Sequence, residues 1–197
     1  MRLFAILTPL LLLSHSPHPQ NLHMTYSIHP DKPTSCKDDF PDRLSSFFEQ
    51  VGGYGEKAEV VQVGLILRID LSVFQDVGYD PEDQKEVDSH WHSLDTFTSM
   101  VDTFIVRVKR NPFCYKKVKY NPHLDKIADE MSRDAQTADT AKLWRRLEQL
   151  QKDPLYGYPA DHGYLREGWL LKDLQVLKGA LGCYKKQGVT KVRLEYM

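Results

Sequence analysis

Cysteine is scarce in this sequence, which has Cys36, Cys114 and Cys183 among its 197 residues. Small secreted scaffolds that depend on disulfides use cysteine much more densely. No two of the cysteines have the C-x-x-C spacing that is typical of a zinc site. We therefore expect three reduced thiols, with a Cys114–Cys183 disulfide as the alternative, and no bound metal or cofactor.

An excess of charge of one sign is also missing. The chain has 26 lysines and arginines against 27 acidic residues, so its net charge is −1. This balance indicates no general affinity for nucleic acid or for a membrane surface. Hydrophobic residues make up 41% and charged residues 27%, which is typical of a globular protein and argues against a disordered one.

The sequence has no hydrophobic run long enough to span a bilayer. Its longest apolar stretch, Leu3 to Leu13, covers about eleven residues and is interrupted by Pro9. Residues 1–23 are either a signal peptide of a secreted protein or an extension upstream of a true start at Met24. We favour the start at Met24, which implies a cytoplasmic protein, because cysteines are few. On both interpretations residues 24–197 form a single globular domain.

Motifs that fix a reaction are absent. The chain contains no P-loop, no glycine-rich dinucleotide loop, no nucleophile elbow and no zinc pattern. We therefore identify no catalytic residue from motifs, and a non-enzymatic role is favoured.

The hydrophobic spacing predicts an α+β fold dominated by helices, with a small sheet of two to four strands covered by about five helices. In the first half it predicts a helix over 40–51, ended by Gly52-Gly53, and a strand over 61–73 in which apolar residues alternate. A long helix follows over 81–110, starting at Asp80-Pro81. A strand from Phe104 to Val108 is the alternative at its end.

The second half is predicted to contain a short strand over 114–120 and helices over about 121–135 and 143–150. A helix over 167–187 and a strand over 189–197 complete the chain. Residues 24–28 also begin like a strand.

One stretch combines positive charge with aromatic residues, and no acidic residue occurs between positions 103 and 124. Lysine and arginine neutralise phosphates and aromatic rings stack on bases, so this composition is typical of a binder of nucleic acid or of a phosphorylated ligand. The candidate contact residues are Arg107, Lys109, Arg110, Tyr115, Lys116, Lys117, Lys119 and Tyr120.

A second candidate is the loop 153–168 between two predicted helices, which we name the tyrosine loop. Tyrosine offers rigid amphipathic contact area, so the loop suits protein recognition. His162 beside Asp161 would also suit acid–base chemistry near neutral pH. The candidate partner-binding residues are Tyr156, Tyr158, Asp161, His162, Tyr164 and Arg166.

The motif His90-Trp91-His92 lies within the predicted long helix. Residues two apart on a helix point in opposite directions, so the two histidines are not expected to share a metal ion. Trp91 is expected to face the core.

Three functions remain after these exclusions. The first is a non-catalytic binding or regulatory module that acts on another protein, such as an inhibitor or an immunity protein. The second is binding of nucleic acid or a phosphorylated ligand through 107–120. The third is a small enzyme that uses His162. We rank them in this order because charge is segregated along the chain and no catalytic set is present.

Overall fold

The computed structural model describes residues 25–37, 40–49, 55–78, 84–136 and 140–196. The fold is α+β and helix-dominated, as the sequence predicts. The described strands are β1 (Tyr26–Pro30), β2 (Val77–Gly78), β3 (His92–Ser93) and β4 (Lys191–Tyr196). The described α-helices are α1 (Asp42–Phe48), α2 (Glu59–Leu67), α3 (Gln84–Ser89), α4 (Leu94–Arg110), α5 (Leu124–Gln136), α6 (Thr140–Gln151) and α7 (Trp169–Lys186).

Strand β4 is the centre of the sheet. Strand β1 pairs with it antiparallel, from Tyr26 opposite Tyr196 to Pro30 opposite Val192. On its other edge, β2 pairs parallel and β3 antiparallel. Val192 and Leu194 of β4 are fully buried, because their side chains point to the helical layer.

The main core lies between the sheet and helices α1, α2, α4 and α7. Its centre is aromatic: the ring of Phe74 stacks on Phe48 with centroids 4.4 Å apart and meets Phe97 edge-on at 5.2 Å. The α7 residues Leu174, Leu177 and Leu181 have no exposed surface. Burial of these side chains holds the two longest helices, α4 and α7, side by side.

The predicted strand over 61–73 is wrong, because residues 59–67 form α2. The run is almost continuously apolar, so it fits a helical period as well as an alternating one. Val60, Val63 and Leu67 are buried at helical spacing, whereas Leu65 is 70% exposed. The alternating pattern had placed Leu65 in the core.

The predicted helix over 81–110 is two helices, α3 and α4, separated by β3. The alternative strand from Phe104 to Val108 is also wrong, since these residues lie within α4. The predicted start at Asp80-Pro81 and the predicted stop at Gly52-Gly53 lie outside the described residues.

The predicted short strand over 114–120 is replaced by a 3-10 turn over Cys114–Lys117. The turn buries Cys114, and Val118 is buried just after it, four residues along the chain. Burial of two residues that are four apart fits a helical turn as well as a strand, so the weak alternation in this stretch does not identify a strand.

The other predictions for the second half are confirmed. Helices α5 and α6 form a hairpin, α7 and β4 follow where expected, and β1 begins within two residues of position 24. The hairpin has a small separate hydrophobic cluster of Met131, Leu147 and Leu150, against which Tyr156 packs.

The disulfide joins Cys36 to Cys183, and Cys114 is a buried free thiol. Both sequence-based expectations for the cysteines, three reduced thiols or a Cys114–Cys183 bond, are therefore wrong. The bond ties the segment after β1 to the last turn of α7. The Gln187 amide nitrogen also donates to the Ser35 hydroxyl at 2.7 Å, next to the bond. Spacing along the chain gives no sign of this contact, because 147 positions separate the two cysteines.

Within the described ranges, no helix has both the length and the apolar character needed to cross a bilayer.

Candidate interaction site

The basic and aromatic stretch covers the last turn of α4 and the 3-10 turn that follows it, and we call its exposed residues the basic surface. Helix α4 ends at Arg110 because Pro112 follows closely. The Asn111 side chain donates to the Arg107 carbonyl at 2.9 Å. The 3-10 turn then places further lysines next in the chain. The basic surface consists of the exposed residues Arg107, Lys109, Arg110, Phe113, Lys116, Lys117 and Lys119.

None of the six cations of the basic surface forms an ion pair within the part of the chain that the structure describes. Some exposed cations elsewhere have carboxylate partners, since Lys178 lies 2.5 Å from Asp102 and Lys185 lies 2.7 Å from Asp95. Others, such as Lys152 and Lys186, are exposed and have no ion pair among the described residues. The basic surface differs from them in having six such cations close together in the chain, between positions 107 and 119.

An aromatic side chain stands among these cations. Phe113 is 62% exposed, and its ring meets the ring of the half-buried Tyr115 at a centroid distance of 6.4 Å. The Lys116 ammonium lies 4.9 Å from the centre of the Phe113 ring. An exposed aromatic ring beside unpaired cations is a combination that recognition surfaces use.

The basic surface is anchored to α2 through backbone contacts. The Gln62 side chain accepts from the Lys119 amide at 2.8 Å and donates to the Lys119 carbonyl at 3.1 Å. Gln62 also donates to the Lys57 carbonyl at 2.7 Å. Because the Lys119 backbone is held in this way, its side chain is directed outward and stays exposed.

Tyr120, at the end of this segment, contacts the half-buried acid Glu59. Its hydroxyl donates to the Glu59 carboxyl at 2.5 Å, and Glu59 lies in the first turn of α2. Burial, with a smaller contribution from the charge of Asp161, raises the pKa of Glu59 to about 7, against the lowering effect of the hydrogen bond from Tyr120. Burial and the acid also raise the pKa of Tyr120.

The tyrosine loop packs directly against this segment. The Asn121 amide donates to the Pro159 carbonyl at 2.8 Å, and the Lys57 ammonium donates to the Tyr156 carbonyl at 2.5 Å. The two candidate regions, separate in sequence, are thus neighbours around Glu59. Sequence reasoning missed Glu59, although an acid at the start of a strongly apolar run was a visible signal.

The tyrosines of the loop serve largely as internal packing. Tyr156 packs on the hairpin cluster, and Tyr158 lies under the Lys57 ammonium at 5.2 Å. The Tyr164 ring lies 5.7 Å from Phe47, and burial beside Asp173 raises the pKa of its hydroxyl. The predicted partner-binding residues that remain largely exposed are Asp161, His162 and Arg166.

Asp161 and His162 do not form a catalytic pair, because the Asp161 carboxylate is committed elsewhere. One oxygen pairs with Arg166, and the other accepts from the Gly163 amide at 2.8 Å. His162 approaches Asp125 at 4.0 Å, and both side chains are largely exposed. A general base needs a partner within hydrogen-bond distance, so this geometry gives the enzymatic hypothesis no support.

A second acid, Asp173, is buried beside Tyr164. Asp173 of α7 contacts the Arg43 guanidinium at 3.5 Å, and that guanidinium lies 3.8 Å from the Trp169 ring centre. Burial raises the pKa of Asp173, against the opposing effect of Arg43. The signal in the sequence was the position of Asp173 on the same helical stripe as Leu170 and Leu177.

The interpretation of His90-Trp91-His92 as part of a helix is wrong. The Asp76 carboxylate contacts both histidines: one oxygen lies 2.5 Å from Nδ1 of His90, and the other lies 2.7 Å from Nε2 of His92. Trp91 is half-buried outside the core, with the Arg193 guanidinium 4.8 Å from its ring centre. No set of three or more histidine, cysteine or acidic side chains among the described residues is arranged to hold a metal ion.

Strands β1 and β4 bring together a serine, a histidine and an acid. The Ser27 hydroxyl lies 2.8 Å from His29, and Glu195 lies 3.0 Å from the same residue. Both contacts are made to the same ring nitrogen, Nε2, whereas a catalytic triad uses the two nitrogens separately. Ser27 is also fully buried, so this group is a structural network and no nucleophile.

Comparisons with protein-family models, with curated proteins and with solved structures give no match for this chain. Functional inference therefore depends on the geometry of the chain itself.

Proposed function

We propose that this protein is a non-catalytic binding module that engages an acidic surface of another protein through its basic surface. The observation that carries the proposal is the series of six exposed cations, without an ion pair among the described residues, in the same segment as the exposed Phe113. An inhibitor or an immunity protein is the kind of module that works in this way.

Charge complementarity gives this surface its expected behaviour. Unpaired cations steer an acidic partner into contact and accelerate association, while a desolvated aromatic residue contributes to the energy of the final complex. Phe113 is placed for the second role because it is exposed and the Lys116 ammonium lies 4.9 Å from the centre of its ring. Asp161, His162 and Arg166 of the tyrosine loop form a neighbouring exposed group that a large partner would reach.

We further propose that the chain folds in an oxidising compartment. The Cys36–Cys183 disulfide supports this, because such bonds are rare in proteins of the reducing cytosol. The signal-peptide interpretation of residues 1–23 agrees with it, against our first preference for a cytoplasmic protein. Mass spectrometry of the native protein after thiol alkylation, with N-terminal sequencing, would test the proposal. Recovery of three alkylated cysteines would contradict it.

The binding proposal is tested by capture from native extract with the purified protein, under low and moderate salt. The test variant is Lys116→Glu/Lys117→Glu, and its matched control is Lys152→Glu/Lys186→Glu, which changes the net charge equally at exposed positions elsewhere. We expect an acidic protein that the wild type and the control retain and that the test variant loses. Phe113→Ala should weaken capture without changing its dependence on salt.

The alternative partner is nucleic acid or a phosphorylated ligand, which the adjacent Phe113 and Tyr115 rings and the lysines favour. Capture that disappears after nuclease treatment, with a steep loss of affinity as salt rises, would replace the protein partner by nucleic acid. Equal capture by the test variant and the control would overturn a role for the basic surface altogether.

A further inference from the structure

A cavity of about 560 Å³ opens at the surface between the residues that follow α2 and the first half of α4. Its lining includes Arg68 and Ile69 just after α2, and Ser99, Met100 and Thr103 of α4. Cavities of this volume are typical of binding sites for small molecules. The cavity is therefore large enough to admit an apolar side chain of a partner.

Helix α4 carries part of the cavity lining and part of the basic surface on one face. Ser99, Thr103 and Arg107 are exposed and lie four residues apart, so they follow one another along the helix. Thr103 lines the cavity, and Arg107 is the first cation of the basic surface, about 6 Å further along the helix axis. A single segment of a partner can therefore contact both at once.

The cavity combines apolar surface with hydroxyl groups. Ile69 and Met100 are half-buried, and both pack against the main core. The exposed residues Thr96, Ser99 and Thr103 lie beside them in the lining. Apolar surface with polar groups at its rim is typical of protein interfaces. This lining suits a side chain of the size of leucine or methionine.

The charges in the cavity lining nearly cancel, in contrast to those of the basic surface. The Asp95 carboxylate lies 2.7 Å from the Lys185 ammonium. Arg68 and Asp70, which have opposite charges, are both exposed. The six cations of the basic surface have no acid among them in the chain. The acids of a partner segment are therefore attracted to the basic surface, and an uncharged end of that segment is left at the cavity.

We propose that the basic surface and the cavity form one binding site for an acidic segment of the partner, and that an apolar side chain at one end of this segment enters the cavity. The inference rests on the proposed function and adds the form of the partner to it. Acidic residues provide attraction over a distance, and the buried apolar side chain strengthens the final complex.

Fluorescence anisotropy with synthetic peptides at low salt tests the site. The probes are a labelled hexaglutamate and versions of it extended, at either end, by two glycines and then leucine or alanine. We expect the wild type to bind one leucine peptide about tenfold more tightly than its alanine counterpart, because leucine buries more apolar surface. Ser99→Trp fills the cavity and should abolish this difference. Gln175→Trp adds the same side chain at an exposed position of α7 and should retain it.

If Ser99→Trp does not fold, Thr96→Trp is the second variant that fills the cavity. Equal affinity of the wild type for the leucine and alanine peptides would overturn the inference and leave the proposed function intact. Equal binding of hexaglutamate by the wild type and Lys116→Glu/Lys117→Glu, or no binding of any peptide, would contradict the proposed function as well. A wild-type dimer in sedimentation that becomes a monomer in Ser99→Trp would place a second copy of the chain at the cavity instead.

Discussion

The main body and the α5–α6 hairpin are stabilised in different ways. In the main body, side chains from four helices and the sheet fill one core, and Phe74, Phe97 and Leu177 are completely buried. In the hairpin, Met131, Leu147 and Leu150 are the buried residues of a separate and smaller cluster. The body therefore depends on contacts between distant parts of the chain, and the hairpin depends on contacts between neighbouring helices.

Charged side chains reinforce the hairpin. Arg146 pairs with Glu130 and lies 2.8 Å from Asp134, which also contacts Lys142 at 2.6 Å. Such networks near the surface add little free energy compared with a large core. We infer that the hairpin is a local unit that opens more readily than the body.

Removal of an aromatic side chain from the main core should have the largest effect. Phe74→Ala leaves a cavity between Phe48 and Phe97, so we expect the free energy of unfolding to fall by about 3–5 kcal/mol. Equilibrium unfolding in urea measures it. A loss below about 1 kcal/mol would mean that the core does not hold the body together.

Removal of the disulfide should also weaken the body. The bond closes a loop of 147 positions, so Cys36→Ser/Cys183→Ser should cost about 2–5 kcal/mol. Hydrogen exchange should rise in β1 and α7 and change little within α5 and α6. Equal loss of protection in the hairpin would show that the two regions unfold together.

The body and the hairpin should respond to acid in opposite directions. The pKa of Glu59 is raised to about 7 in the folded chain. The contribution of Glu59 to the free energy of unfolding is therefore full below about pH 4.5 and is lost as pH rises to about 7, a change of about 2–3 kcal/mol. Glu49, with a pKa raised to about 7 by burial, adds in the same direction. Hydrogen bonds from Lys142 and Arg146 lower the pKa of Asp134, so the hairpin keeps this stabilisation above the ordinary carboxyl range and loses it in stronger acid.

Unfolding in urea at pH 5 and pH 8 tests whether the free energy of unfolding of the body falls as pH rises. Glu59→Gln should make this dependence on pH smaller. A body that is more stable at pH 8 than at pH 5 would contradict the assignment.

A substitution in the hairpin cluster should act locally. Leu147→Ala should cost about 2 kcal/mol, at the low end of the range for buried leucines, because the hairpin can relax around the cavity. We expect faster exchange in α5 and α6 with an almost unchanged thermal midpoint of the body. A fall in that midpoint of more than a few degrees would show that the hairpin belongs to the same cooperative unit.

The same contrast explains which parts of the fold could be predicted from the sequence. Helices α5 and α6 have clear apolar stripes and depend on each other, so a local pattern is sufficient. Helix α2 is buried on much of its surface, and its pattern fits a strand equally well until the surrounding elements are known. The contacts of Cys36 with Cys183 and of Asp76 with His92 depend on the complete topology.

The candidate site divides in the same way. The cations of the basic surface were visible because exposure and charge can be read from a continuous stretch without acids. The positions of Glu59 and Asp173 left a signal in the sequence, but their importance did not, because it comes from tertiary contacts with Tyr120 and Tyr164.

The smallest effects are expected from replacement of an arginine by glycine, made once in the body and once in the hairpin. Arg68 ends α2 with φ 54° and ψ 53°, a left-handed conformation that is unfavourable for residues with a Cβ. The following Ile69 amide donates to the Gly64 carbonyl at 3.0 Å, which completes the end of the helix. Arg68→Gly should therefore stabilise the body by about 0.5–1 kcal/mol. Arg145→Gly, inside α6, should destabilise the hairpin by about 1 kcal/mol, because glycine is a poor helix former. Urea unfolding measures the first and local hydrogen exchange the second. A loss of stability in Arg68→Gly would mean that the arginine side chain makes a contact worth more than the backbone strain it imposes.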